Sequence, residues 1–91
     1  MVGLYKFQED QWYGELLGFF VSDSSEVEKI MGKTVCFGEV LGKHSCVEVD
    51  ISDENITLIT QDKSLIEWCI NNDIVCGYDP TSWLNEWKWT L

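Results

Sequence analysis

The sequence predicts an α+β fold: a mostly antiparallel sheet of about five strands, with a short helix and two later helices packed on one face. Three observations carry this. Apolar runs with two-residue alternation occupy most of the first sixty positions, clearest where Ser45, Val47, Val49 and Ile51 alternate with His44, Cys46, Glu48 and Asp50. Apolar groupings at helical spacing follow in the last third, each opened by Asp or Ser. Between the runs lie short clusters of Gly, Asn, Asp and Ser, the residues that local turns select.

Val2 to Phe7 alternates loosely among β-formers and reads as the first strand, followed by a polar turn at Gln8-Glu9-Asp10-Gln11. Trp12 to Ser22 reads as a second, longer strand that pairs with the first, with Gly14 and Gly18 as points for a bulge or close packing. Phe19 and Phe20 fall on opposite sides of a regular strand, so at least one side of this sheet is covered by something other than water. Asp23-Ser24-Ser25 offers several caps and Ser25-x-x-Glu28 matches a capping box, so a short helix runs to Met31 and stops at Gly32, with Val27, Ile30 and Met31 on one face.

Gly32 to Ile51 reads as two strands joined by a tight turn near Gly42-Lys43, where glycine supplies a positive φ. Before the turn Phe37 and Val40 are both apolar yet of opposite parity, which calls for a bulge at Gly38 or a strand covered on both faces. Ser52-Asp53-Glu54-Asn55 is a turn, and Ile56 to Thr60 a fifth strand with Ile56 and Leu58 pointing the same way. Asp62 or Ser64 opens a second helix, where Ser64-x-x-Glu67 matches a capping box, Leu65, Ile66, Cys69 and Ile70 form the stripe and Trp68 lies beside it. Asn71-Asn72-Asp73 ends it, and Ile74-Val75-Cys76 is either a sixth, edge strand or a loop that plugs the core. Asp79-Pro80 has the form of an N-cap followed by proline at the first helical position, beginning a last helix that runs to about Lys88.

Ninety-one residues make a single domain, 1–91, with room for one core. The net charge of −10, from 16 carboxylates against six cations that are all lysine, argues against direct nucleic-acid contact, because no arginine is present to fork onto phosphate or base edges. A basic protein surface is the partner such a chain suits, although acidity also serves plain solubility. Cys36, Cys46, Cys69 and Cys76 contain no Cys-x-x-Cys pair and accompany a single His, so neither zinc nor another cofactor is expected. Each lies in an apolar or strand-like segment, and reduced core thiols in the cytoplasm are the expectation. The first residues lack a basic region followed by an apolar one, and no apolar run approaches membrane-spanning length, so neither export nor membrane insertion is expected.

For ligand contact the candidates are Gly42, Lys43, His44 and Ser45, where one turn exposes a cation, an imidazole and a hydroxyl, together with Trp12, Tyr13 and Tyr78 as aromatic anchors or stacking platforms. The bland reading is that a polar turn needs such residues and that the aromatics are core. A thiol mechanism built on Cys46, His44 and Glu39 is set aside, since residues two apart on one strand stand about 6–7 Å apart at Cα. Glu39, Glu48, Asp50, Asp53 and Glu54 form the candidate acidic face. Solvated carboxylates spaced along turns and a strand can stand in for phosphates.

The stretch Gly38-Glu39-Val40-Leu41-Gly42-Lys43-His44-Ser45 resembles one found in small uncharacterised proteins of phages and bacteria. The resemblance covers at most about a quarter of the chain and implies an origin, with no activity attached. With the charge, it leads to the expectation of a non-catalytic acidic binding or inhibitor protein, encoded by a phage or mobile element. Such a protein would block a host defence or nucleic-acid-handling protein in the host cytosol. One alternative is a binder that sequesters a nucleotide-like signalling ligand near Gly42–Ser45; another is an immunity or antitoxin protein. Homo-oligomer formation stays open.

Overall fold

The computed structural model describes residues 1–11, 14–38 and 47–82. Among them five strands and two helices follow in the order β1 (Val2–Gln11), β2 (Gly14–Asp23), α1 (Ser24–Ile30), β3 (Thr34–Cys36), β4 (Glu48–Asp50), β5 (Ile56–Thr60) and α2 (Lys63–Asn71). The fold is α+β, and among the described residues all strand pairing is antiparallel. The strands divide between two sheets, one ordered β2-β1-β5 and one formed by β3 and β4.

The β1–β2 ladder is longer than the alternation implies. β1 continues through Gln8–Gln11, read from sequence as a turn, with Gln8 opposite Leu17, Glu9 opposite Leu16 and Asp10 opposite Glu15. Cross-strand bonding makes these polar residues compatible with a strand: the Gln8 amide donates to Glu15 Oε2 at 3.0 Å. The expected turn at Gly42-Lys43 lies outside the described residues, whereas the expected final helix does begin at Pro80, with 80–82 helical and only the part beyond Ser82 outside them.

Side-chain parity splits the apolar residues into two clusters. Tyr5 and Phe7 of β1, with Leu16 and Phe20 of β2, meet Val27 and Ile30 of α1 and the inward row Val35, Phe37, Val47, Val49 and Ile51 of the β3–β4 hairpin. Leu4, of the other parity, joins Ile66 and Cys69 of α2, with Phe19, Val21, Ile74 and Val75 packed around them. The two helices therefore serve opposite faces of the three-stranded sheet. That is how Phe19 and Phe20, adjacent on β2, are both accommodated.

Each helix is capped by an aspartate rather than by the serine of its capping-box match. Asp23 accepts from the Ser25 N–H, and Asp62 from the N–H groups of Ser64 and Leu65. A carboxylate satisfies the orphan donors and also complements the positive end of the helix dipole. Asp79 does the same for Thr81 and Ser82 after Pro80. Residues 74–78 form no sixth strand. Instead the Phe19 N–H donates to Cys76 O and the Tyr78 N–H to Leu17 O, holding this segment along the free side of β2.

Among the described cysteines two depart from the expectation of reduced core thiols. Cys69 is a buried free thiol and Cys76 an exposed one, whereas Cys36 is disulfide-bonded. Cys36 sits opposite Glu48 on the outward row of its hairpin and is only half-buried, so it lacks the core environment on which that expectation rested.

Candidate functional site

The β3–β4 hairpin sorts its side chains cleanly. Val35 and Val49 are buried, while Thr34, Glu48 and Asp50 are exposed on the opposite row. Glu48 and Asp50 share that row at a spacing of about 6–7 Å. The Thr34 hydroxyl donates to Asp50 Oδ1 at 2.6 Å and holds that carboxylate against the hairpin surface. Phe37 N–H donates to Val47 O and Val47 N–H to Gly38 O, so Val47 faces two residues, and Gly38 takes φ +80°. This is the irregularity that the parity break at Gly38 predicted.

After β4 the chain turns through Ser52–Asn55, presenting Asp53 and Glu54 to solvent. Asn55 braces that corner. It is 8% exposed, its Oδ1 accepts from the Ser52 N–H at 3.0 Å and the Ser52 hydroxyl at 3.2 Å, and its Nδ2 donates to Glu9 Oε1 at 2.8 Å. Its carbonyl also accepts from the Gln8 N–H at 2.9 Å. Glu48, Asp50, Asp53 and Glu54 thus project from an anchored frame, with Lys33 the single lysine in the described part of the hairpin. In the sequence Asn55 is a turn-former at the head of an Asn-Ile-Thr sequon, and nothing in its neighbours signals a partner 46 positions away.

A second acidic feature closes the β1–β2 ladder. Asp10 and Glu15 face each other across the strands. The hydrogen bond with Glu15 pushes the Asp10 carboxyl above the usual aspartate range, whereas that bond and the Gln8 amide hold Glu15 below the usual glutamate range. The two carboxyls therefore titrate apart, Asp10 taking up its proton before Glu15 as pH falls.

Of the predicted ligand residues only Tyr78 is described, since Trp12, Tyr13, Gly42, Lys43, His44 and Ser45 lie outside the described residues, as do Glu39 and Cys46. Tyr78 is half-buried, and its ring meets Phe37 edge-on with centroids 5.6 Å apart at 86°. Phe37 in turn stacks on Phe7 at 5.4 Å. A groove of about 370 Å³ lies elsewhere, lined by Met1, Val2, Gln61, Lys63, Ile66 and Glu67, none of them a predicted contact. Among the described residues no three His, Cys, Asp or Glu side chains converge on a metal-sized site, and no helix is long and apolar enough to cross a membrane.

Comparison with protein-family models, with curated proteins and with solved structures finds no match.

Proposed function

We propose that this protein is a non-catalytic acidic binding protein that occupies a basic surface on another protein, one that handles nucleic acid or serves in host defence. The observation that carries the reading is the exposed acidic row: Glu48 and Asp50 on the β3–β4 hairpin, Asp50 held by Thr34, continued by Asp53 and Glu54 on a corner braced by Asn55. A carboxylate already held in place, as Asp50 is by the Thr34 hydroxyl, loses less freedom on binding than a mobile one, and a chain of charge −10 steers toward a basic partner over a Debye length. Origin in a phage or mobile element, and action in the host cytosol, belong to the same proposal. An immunity or antitoxin role is this reading with a basic toxin as the partner. A cytosolic site of action would require the Cys36 bond to be reduced or short-lived there.

The test is capture of a nucleic-acid-binding protein from host extract on the immobilised chain, followed by elution with salt and, separately, with duplex DNA. The partner should leave steeply with salt and be displaced by DNA, and Glu48→Lys with Asp50→Lys should abolish capture. Salt-insensitive capture, or capture that survives the double charge reversal, would overturn the reading.

A further inference from the structure

The three-stranded sheet has two edges, and the chain treats them differently. The β2 edge is covered by 76–78 through bonds to Leu17 and Phe19. Among the described residues β5 pairs only with β1. Its sequence, Ile-Thr-Leu-Ile-Thr, has neither a charge nor a proline, two devices that ordinarily blunt an open edge. Leu58 and Ile59 are each 47% exposed. The antiparallel ladder, counted from the bond that Asn55 O accepts from Gln8, directs the N–H and C=O of Thr57 toward β1 and those of Leu58 away from it. The register shift opposite Leu4 and Tyr5 follows Leu58, so the straight, outward-facing part of the strand is Ile56–Leu58.

Charge selects the occupant. The segment 51–73, which holds this edge and α2, carries exposed Asp53, Glu54, Asp62, Glu67 and Asp73 against Lys63 alone. A second copy would bring the same carboxylates together. An extended segment alternating apolar and basic residues would set its apolar row beside Leu58 while meeting those carboxylates with opposite charge. We propose that β5 accepts such a basic strand as a fourth member of the sheet, pairing at the Leu58 N–H and C=O. This rests on the acidic-surface reading above and specifies how the partner is held.

The probes are a capped peptide alternating four lysines with three valines, and capped tetralysine as an equally charged control. The alternating peptide should bind about tenfold tighter than tetralysine, the equivalent of one or two net hydrogen bonds, and should slow hydrogen exchange at the Leu58 amide. Leu58→Pro removes that outward N–H without touching the β1 ladder and should erase the difference. Leu58→Lys, which keeps the backbone donor but repels the peptide, should weaken the alternating peptide as well and covers the case in which the proline variant does not fold. Equal binding by both peptides with Leu58 exchange unchanged would overturn the edge while leaving the acidic surface standing. Binding by neither would overturn both, and sedimentation as a dimer that Leu58→Lys dissociates would assign the edge to a second copy instead.

Discussion

Gly18 of β2 and Gly77 of the segment after α2 face each other in an antiparallel bridge so close that neither has room for a side chain. A Cβ on Gly18 would run into the backbone of Tyr78, with its carbonyl carbon at 2.7 Å, and one on Gly77 would lie 2.8 Å from the Gly18 Cα. Gly77 also sits at φ +87°, where L side chains are rarely found. This contact closes the β2 edge and sets Tyr78 beside Phe37, so the same two glycines position the segment and complete the larger core.

Gly18→Ala is therefore expected to cost about 1–3 kcal/mol, the range for forcing atoms into a packed site. Chemical denaturation with intrinsic fluorescence measures it. A neutral result would mean that 76–78 moves away from β2 at little cost.

Asn55→Ala removes two acceptor bonds and one donor bond from a buried side chain, leaving the Ser52 N–H to find water and taking one donor from Glu9. The expected loss is about 1–3 kcal/mol. Asn55→Asp should be at least as damaging, because it sets a second carboxylate against Glu9. Thermal unfolding of both variants checks the order. Asn55 also heads an Asn-Ile-Thr sequon, and its burial makes it a poor acceptor for any glycan.

The cysteines predict a labelling order. Iodoacetamide on the native protein should modify Cys76 rapidly, Cys69 only on unfolding, and Cys36 only after reductant is added. Peptide mass spectrometry reads each site separately. Native labelling of Cys36 without reductant would contradict the oxidised state.

Much of the fold was legible because it depends on periodicity. β5 has the limits that its β-formers and flanking turns imply, and α2 follows from Asp62 and a stripe in which Ile66 and Cys69 face inward. The irregularity at Gly38 was visible because an odd insertion reverses parity, although parity alone left a strand covered on both faces as the other reading. Alternation reports which side chains share a face but not which strands pair, so the division into two sheets was not legible. For the same reason Leu4 and Tyr5 could not be assigned to different clusters on opposite faces. At the candidate site, Glu48 and Asp50 were legible as an outward row, whereas the Asn55 brace depends on a contact from β1 that no local pattern encodes. The β5 edge, unpaired among the described residues, was hidden too, since Leu58 is apolar whether or not a neighbour covers it.

The Asp10–Glu15 pair predicts a pH effect of definite sign. In the folded chain the Asp10 carboxyl titrates above its ordinary 3.8, so the native state holds a proton that the unfolded state releases, and this contribution to stability falls as pH rises through that interval. Glu15 behaves oppositely. Its pKa lies below the ordinary 4.5, so its contribution is present above that value and is lost as pH falls through the lowered one. Above both values two negative charges stand directly opposite each other on neighbouring strands, an unfavourable arrangement. Asp10→Asn keeps a donor for Glu15 at every pH and removes the repulsion. The variant should melt above the parent at pH 7, and the advantage should shrink toward pH 4, where Asp10 in the parent regains its proton. Melting curves of the two proteins at both pH values decide it, and an advantage that is the same at each would show that Glu15 does not raise the Asp10 carboxyl above its ordinary range.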